Sequence, residues 1–260
     1  MLVELTGRAA VITGASKGLG LAIATEFAAS GADVAIIARR AEVLEEAKGQ
    51  IERIARGRVA AVPGDVSKAA DCRAAFETAI GAFGKVDILV NNAGTSRAMP
   101  FDQVSDEIWQ EDLDLKLFAA IRLARLALPG MRERRWGRII NVLNIGAKAP
   151  RANSAPTAVS RAAGMALTKI LANECAPHNV LVNALLVGQI VSDQWVRRHA
   201  AQASGMSFEE FAAKLGANIP LGRMGRAEEF AAMACFLCSE QAGFTTGTAI
   251  NMDGGACPVV

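Results

Sequence analysis

A glycine-rich turn lies near the start of the chain, where residues 13–20 read TGASKGLG. Gly14 allows a tight turn, Gly18 lets the backbone approach a diphosphate, and Gly20 allows a following helix to pack closely on the preceding strand. The first N–H groups of that helix carry a partial positive charge that favours phosphate. The pattern therefore predicts a dinucleotide-binding turn formed by Gly14, Ser16, Lys17, Gly18, Leu19 and Gly20.

Two arginines, Arg39 and Arg40, follow the second apolar segment. An acidic residue at this place commonly binds the free 2′-hydroxyl of NAD. A guanidinium instead binds a 2′-phosphate through paired, charge-assisted hydrogen bonds. Lys17 adds a third cation on the same side. The sequence therefore favours NADP(H) over NAD(H), with ordinary arginines at a helix start as the alternative.

Residues 14–18 also match the G-x-S-x-G pattern of serine hydrolases, and His178 and His199 lie downstream. The hydrolase motif follows a central strand that is reached after several others, whereas this turn follows the first strand. We therefore expect a phosphate-binding turn here. His199 could supply acid–base chemistry, although an ordinary surface histidine is the favoured interpretation.

Short apolar segments alternate with longer amphipathic ones, which is typical of a parallel sheet covered by helices. The predicted strands are 8–13, 33–38, 58–63, 86–91, 138–143, 179–186 and 248–252. The predicted helices are 19–29, 41–56, 68–83, 112–134, 154–176 and 227–238. Right-handed crossovers then give a Rossmann-type α/β fold, a doubly wound parallel sheet of seven strands with helices on both faces.

We expect residues 1–260 to form one domain, because no linker or repeat interrupts the pattern. Residues 193–216 break the alternation with two short helical segments. An insertion after the sixth strand is placed to cover the carboxyl ends of the strands, where ligands bind in such sheets. We expect it to shape the substrate site.

The composition argues against several classes of protein. A net charge of +2 gives no basis for nucleic-acid binding, and no uncharged apolar segment reaches membrane-spanning length. The first residues lack the features of a signal peptide. Five cysteines do not indicate a disulfide framework, and Cys235 and Cys238 are interpreted as core residues, not metal ligands. We expect a cytoplasmic protein without a metal site.

Further motifs make the chain resemble the short-chain dehydrogenase/reductase family over nearly its whole length. Residues 65–66 (DV) match its adenine-binding position, residues 91–94 read NNAG like its motif, and residues 187–192 (VGQIVS) resemble its P-G-x-I-x-T. The C-terminal segment is similar to that of reductases acting on 3-oxoacyl thioesters. The resemblance implies cofactor contacts from Asp65, Val66, Asn92, Ala93, Gly94, Arg161, Val187, Gly188, Ile190 and Ser192.

The family's catalytic set is an asparagine, a serine, a tyrosine and a lysine. Registering on the flanking motifs places different residues at all four positions: Lys116, Asn144, Thr157 and Arg161. The chain contains no tyrosine at all. Asn144 can donate a hydrogen bond to a carbonyl oxygen as serine would. Arg161 can bind the nicotinamide ribose but cannot relay a proton.

The missing tyrosine leaves the proton donor open. The aliphatic hydroxyl of Thr157 is far too weak an acid for that role. Lys116 is the predicted donor, since burial beside Arg161 would lower its pKa towards neutrality.

These residues favour an NADP(H)-dependent oxidoreductase that acts on the carbonyl/alcohol pair of a small-molecule substrate. An NADP-binding protein without redox chemistry, and lyase or isomerase chemistry on the same scaffold, stay open as alternatives. The apolar helical segments 112–134 and 154–176, which correspond to interface helices in the family, predict a homotetramer.

Overall fold

The structure, a computed structural model, describes residues 3–202 and 205–260. The strands are β1 (Ala9–Thr13), β2 (Asp33–Ala38), β3 (Val59–Pro63), β4 (Ile88–Asn91), β5 (Ala98–Met99), β6 (Gly137–Asn144), β7 (Ala155–Pro156), β8 (Val180–Val187) and β9 (Ala249–Met252). The α-helices are α1 (Gly18–Ala29), α2 (Ala41–Glu52), α3 (Ala69–Phe83), α4 (Asp106–Leu113), α5 (Ala119–Glu133), α6 (Thr157–Cys175), α7 (Asp193–Gln202), α8 (Phe208–Gly216) and α9 (Ala227–Cys238).

The seven longer strands form one parallel sheet in the order β3-β2-β1-β4-β6-β8-β9. β1 lies between β2 and β4, with Ala10 opposite Val34 on one side and Ile88 on the other. The winding reverses at this point, so a crevice opens at the carboxyl ends of β1 and β4. The glycine turn and the NNAG segment both emerge at this edge of the sheet.

Helices cover both faces of the sheet because its strands are apolar on both sides. One face packs against α1, α2 and α9, where Phe27 and Phe230 are fully buried. The other face packs against α3, α5 and α6, with Phe76 and Leu123 in the core. Full burial of such a side chain contributes about 1.5–3 kcal/mol, and this packing holds the strand ends that form the crevice.

The predicted fold class is confirmed, and the largest difference in an element concerns the helical segment 112–134. Its helix begins earlier, at Asp106, because the Ser105 hydroxyl caps the first turn. A π-helical turn, Asp114–Phe118, then joins α4 to α5. Such turns are rare and occur often at functional sites. This one carries Lys116.

A second, antiparallel sheet pairs β5 with β7. Two-residue strands leave no periodic pattern in a sequence, so this sheet was not predicted. Its pairing joins the loop that follows β4 to the start of α6, and thereby brings residue 97 next to residue 157.

The insertion contains the two expected helices, α7 and α8. Positions 203 and 204 of this insertion lie outside the described residues. Across residues 3–202 and 205–260, none of the helices is both long and apolar enough to cross a membrane.

Candidate functional site

A large cavity follows the crevice at the carboxyl ends of the central strands. Its volume is about 840 Å³, which is within the range of small-molecule and cofactor sites. The predicted site residues that line it are Gly14, Ser16, Lys17, Gly18, Leu19, Gly20, Arg39, Arg40, Asp65, Val66, Asn92, Ala93, Gly94, Asn144, Thr157, Arg161, Val187, Gly188 and Ser192. The fold therefore brings nearly all of the predicted site residues into one cavity.

The glycine turn is held in place by polar groups from two strands. The Thr13 hydroxyl accepts hydrogen bonds from the N–H groups of Asn92 and Ala93, at 3.0 and 2.9 Å. The Asn92 amide donates in return to the carbonyl oxygens of Thr13 and Gly14, at 2.9 and 3.2 Å. A Cβ atom at Gly20 would overlap the Gly14 carbonyl oxygen. Glycine at this position is what lets α1 pack so closely on the turn.

The N-terminus of α1 borders the cavity. Lys17, its N-cap residue, makes no side-chain cap within the described structure, which leaves the first-turn N–H groups to a ligand. Gly18 has a φ of +57°, a conformation that glycine adopts without strain. An uncapped helix end after a glycine turn fits a diphosphate group.

Arg39 and Arg40 lie exposed at one end of the cavity, directly after β2. Asp65, after β3, lies near Arg39. Burial opposes ionisation of Asp65, but hydrogen bonds from Ser67 and the charge of Arg39 outweigh it and lower the pKa of this carboxyl group. This end therefore offers two unburied guanidinium groups beside one carboxylate, a donor set that fits a phosphorylated ribose.

Helix α7 forms the wall above the glycine turn. The Lys17 Nζ atom lies 3.7 Å from Asp193 Oδ1, and Asp193 Oδ2 lies 3.0 Å from Arg197 Nε. Trp195 and Arg198 also line the cavity, and the Arg198 guanidinium lies 4.9 Å from the centre of the Trp195 ring. The sequence indicated this insertion but not which of its side chains face the cavity.

The other end of the cavity carries Asn144 and Arg161. Asn144 is the last residue of β6, and its Oδ1 atom is buried with no hydrogen-bond partner in the described parts of the chain. Arg161 donates to the Val142 carbonyl oxygen at 2.7 Å, and a Cβ atom at Gly94 would overlap its guanidinium. Burial lowers the pKa of Arg161 to about 10, so it stays protonated at neutral pH.

Thr157, the first residue of α6, also lines this end, and its hydroxyl has three partners. It donates to the Arg97 carbonyl oxygen at 2.8 Å and accepts from the Arg97 N–H at 3.0 Å. It also accepts from the Lys116 ammonium at 2.7 Å. A hydroxyl has one hydrogen and two lone pairs, so all of its hydrogen-bonding positions are engaged.

Lys116 lies behind Thr157, in the π-helical turn, and forms a buried ion pair with Asp112 in which each side chain is 1% exposed. Burial lowers the pKa of Lys116 to about 8. The charge of Arg161 acts in the same direction, while the hydrogen bond to Asp112 opposes the shift. The lysine is therefore an acid suited to neutral pH, as the sequence predicts.

The structure corrects two placements. Lys116 is not among the described residues that line the cavity, so a direct approach of its ammonium to a substrate oxygen is not available, because Thr157 lies between them. The Ile190 side chain also lies outside the lining set. It packs into the core next to a β-bridge with Gly225.

His199, the other acid–base candidate, packs against Phe208 and Phe211, with ring centroids 5.7 and 5.3 Å away. Its Nε2 atom lies 2.7 Å from the Met206 carbonyl oxygen. It is absent from the cavity lining in the part of the chain that the structure describes.

Sequence reasoning missed two residues next to this site, Asp112 and Ser160. Asp112 lies four residues before Lys116, a spacing that pairs opposite charges on a helix, so the sequence did contain a signal for it. Ser160 donates to Asp112 Oδ2 at 2.6 Å. Nothing local pointed to that contact, because α4 and α6 meet only in the folded chain.

A family model described as enoyl-(acyl carrier protein) reductase matches residues 14–257. The 3beta-hydroxysteroid dehydrogenase 1 of Eggerthella lenta is 37% identical over 258 residues, covering 98% of this chain and 95% of that protein.

Two solved structures resemble the whole chain. The L-sorbose reductase of Gluconobacter frateurii, complexed with NADPH and L-sorbose, has a TM-score of 0.95 at 36% identity, with 100% of both chains covered. The 3-ketoacyl-(acyl-carrier-protein) reductase of Brucella melitensis, complexed with NADH, has a TM-score of 0.86 at 33% identity, with 98% of this chain and 100% of that chain covered. The chain therefore belongs to the short-chain dehydrogenase/reductase family of oxidoreductases.

Proposed function

We propose that this protein is an NADP(H)-dependent oxidoreductase that interconverts the carbonyl and alcohol forms of a small molecule. One observation carries the proposal: a single cavity has a glycine turn and arginines at one end and Asn144, Thr157 and Arg161 at the other. The first end suits the phosphates of a dinucleotide, and the second offers polar groups for a reacting carbonyl. The substrates named for its relatives, a sugar, a steroid and acyl thioesters, share only this carbonyl chemistry.

The residues fit an NADP cofactor. The α1 N-terminus and Gly18 hold the diphosphate, Arg39 and Arg40 with Lys17 bind the 2′-phosphate, and the 65–66 and 92–94 segments flank the adenine and riboses. Arg161 holds the nicotinamide ribose, and residues 187–192 support the nicotinamide ring. When bound, the cofactor supplies or accepts a hydride. Because relatives bind either NADPH or NADH, the preference for NADP(H) rests on the cations.

The chain's own residues carry the remaining chemistry. The Asn144 amide N–H polarises the substrate carbonyl and stabilises the negative charge that develops on its oxygen. Lys116 is the proton source in place of the missing tyrosine, since its ammonium is a far stronger acid than an aliphatic alcohol. The positive charge of Arg161 helps to keep the pKa of that ammonium low. Arg161 itself binds the nicotinamide ribose and does not relay a proton.

The second candidate is an NADP-binding protein without redox chemistry. It is favoured by the Thr157 hydroxyl, which already has three partners inside the protein. Its hydrogen would have to turn away from the Arg97 carbonyl oxygen before it could reach a substrate. Both candidates share the cofactor end of the cavity and differ only in whether turnover occurs.

We also propose that the insertion 193–216 shapes the substrate site within a single domain, because α7 lines the cavity. A homotetramer is supported by large apolar side chains that stay exposed on the segments expected at the interface, namely Phe118, Val159 and Ile170. A cytoplasmic location is supported by cysteines that are all free thiols.

The test is an NADPH-oxidation screen against ketoses including L-sorbose, steroid ketones and 3-oxoacyl thioesters, with the reverse reaction run on the matching alcohols. We expect turnover with at least one class. Fluorescence titration with NADPH and NADH runs in parallel, and light scattering reports the oligomer. NADPH binding without turnover on any carbonyl would establish the non-redox candidate instead.

A further inference from the structure

A buried polar network runs from the helix core to the cavity wall. Asp112 and Lys116 form an ion pair, Lys116 donates to the Thr157 hydroxyl at 2.7 Å, and Ser160 donates to Asp112 Oδ2 at 2.6 Å. All four residues are buried. Taking two charges out of water is unfavourable, and apolar residues often stabilise a protein as well as a buried ion pair does. The pair therefore calls for a role beyond holding the helices together.

The network ends at Thr157, the member that reaches the cavity. We propose that the Thr157 hydroxyl conducts a proton between Lys116 and the substrate oxygen, and that Asp112 is the positioning residue that holds Lys116 against this hydroxyl. The inference rests on the proposed oxidoreductase function and specifies how its proton travels. Thr157 is then a catalytic residue that relays the proton, and Lys116 is the acid that supplies it.

The step balances in both atoms and electrons. During reduction, a bound NADPH would supply a hydride to the carbonyl carbon and become NADP+, and the carbonyl π pair would become a lone pair on oxygen. That oxygen takes the Thr157 hydroxyl proton, while Thr157 Oγ1 takes a proton from Lys116 Nζ. The products are an alcohol, an intact threonine and a neutral lysine. Lys116 regains its proton from water through the same hydroxyl after the product leaves the cavity.

The hydroxyl can serve both sides because its hydrogen rotates freely about the Cβ–Oγ bond. In the present arrangement the hydrogen points to the Arg97 carbonyl oxygen. A substrate oxygen that gains negative charge is a stronger acceptor than a neutral carbonyl, so the hydrogen turns towards it. Rotation about this bond moves the hydrogen and both lone pairs together, and after a turn of about 120° one of the two lone pairs again faces the Lys116 ammonium.

Asp112 fixes the geometry because both of its oxygens are occupied, one by Lys116 and the other by Ser160. The charged groups that face Lys116 come from three segments: Asp112 from its own helix, Arg161 from α6 and Arg97 from the loop after β4. Asp112 is the single anion among them. Without it, two guanidinium groups would favour a neutral lysine, and the proton would be lost before it is needed.

The first arm of the test needs no substrate. Protein labelled with ¹³C and ¹⁵N in its lysines is titrated by NMR, and the Lys116 signal is assigned by its loss in K116M. We expect Lys116 to titrate near pH 8 and to titrate about one unit lower or more in Asp112→Asn. Ser160→Ala should cause a smaller shift in the same direction, and it keeps the test decisive if D112N folds poorly.

Asp114→Asn is the matched control. Asp114 lies on the same helical segment, and its carboxylate pairs with Arg122 at 2.7 Å instead of with Lys116. The variant therefore changes the net charge equally, and we expect it to leave the Lys116 titration unchanged.

The second arm uses the carbonyl compound with the fastest turnover in the NADPH screen. Thr157→Val removes the hydroxyl at nearly constant volume and should lower kcat by about 10²-fold or more, while Thr157→Ser should restore it to within a few-fold. In D112N the upper limb of the kcat–pH profile should move to lower pH in step with the NMR titration, with NADPH affinity unchanged.

The outcomes separate the two levels of the proposal. No turnover in the wild type on any carbonyl would overturn the oxidoreductase function and this proton route with it. If the wild type turns over normally, two results would overturn the proton route alone. One is full activity in T157V, and the other is a Lys116 titration that is the same in D112N and wild type.

Discussion

The two ends of the cavity are built by different means. At the phosphate end, ligand-binding capacity comes from backbone shape and exposed cations: a glycine turn, a helix N-terminus, Arg39 and Arg40. At the chemical end it comes from side chains held in a buried network, with an ion pair that is 1% exposed. The first arrangement is local in sequence, whereas the second joins α4, the π-helical turn and α6.

This difference explains why the ends respond differently to changes of residue. A diphosphate site made of N–H groups tolerates changes in nearby side chains as long as the glycines remain. A buried charge network does not, because the removal of one member leaves another charge uncompensated. The chemical end is therefore the part of this protein where single substitutions should have the largest effects.

The largest effect is expected for Lys116→Met, which removes the proposed proton source. Turnover should fall by about 10²-fold or more, while NADPH affinity measured by fluorescence stays within about twofold, because Lys116 does not line the cavity. The variant leaves the buried Asp112 carboxylate without its cation, so D112N/K116M is the control for stability. Wild-type turnover in either folded variant would contradict the role of Lys116.

The next effect is expected at the phosphate end. Arg39→Ala would remove the proposed charge-assisted hydrogen bonds to a 2′-phosphate, and a bond of this kind contributes about 1.5–3 kcal/mol. NADPH affinity should fall by about 10- to 100-fold, while NADH affinity stays nearly constant, as measured by titrating both cofactors. Arg53→Ala, a change at an exposed arginine after α2, is the matched control. Equal losses for NADPH and NADH would remove the basis for the NADP preference.

The ends should also differ in their response to pH. Burial and the charge of Arg161 lower the pKa of Lys116 to about 8, and the proposed proton transfer requires the protonated form of Lys116. The reduction rate should therefore be constant below pH 8 and fall about tenfold per pH unit above it. NADPH affinity should hardly change between pH 7 and 9, because Arg161, with a pKa of about 10, stays mostly protonated there and ordinary arginines keep their charge. A reduction rate that is flat to pH 10 would exclude Lys116 as the acid.

The smallest effect is expected for Thr13→Val, which acts on the support of the glycine turn. The variant loses the two hydrogen bonds accepted from the N–H groups of Asn92 and Ala93 and the longer one donated to the Val90 carbonyl oxygen at 3.4 Å. It should lower the free energy of unfolding by about 1–3 kcal/mol. Urea unfolding measures this loss. Thr78→Val, at an exposed helical threonine, should change stability far less. Equal losses in both variants would show that the Thr13 contacts contribute nothing specific.

Much of the fold was predictable because its signals are local. The seven sheet strands and the helical segments follow from apolar runs and their spacing. The start of the long helical segment at Asp106 was missed because residues 106–113 (DEIWQEDL) are mostly polar. The π-helical turn was missed because it differs from an α-helix only in its hydrogen bonding.

The candidate site likewise has features that were predictable from the sequence and features that were not. The glycine turn and the arginines after β2 were identified from the sequence, and they line the cavity. The residue types at the four catalytic positions of the family were also identified from the sequence, namely Lys116, Asn144, Thr157 and Arg161. Their distances were not accessible, because Lys116 and Thr157 are 41 residues apart in the chain and meet only through tertiary packing.

The sequence by itself determined the alternation of strands and helices, the glycine-rich turn and the absence of any tyrosine. These features depend on residue type and on neighbours within a few positions. The tertiary structure alone decided that Lys116 lies behind Thr157, that Asp112 neutralises it, and that Arg161 faces it from α6. Burial and charge at a point in space determine a pKa, and both are set by segments far apart in the chain that packing brings together.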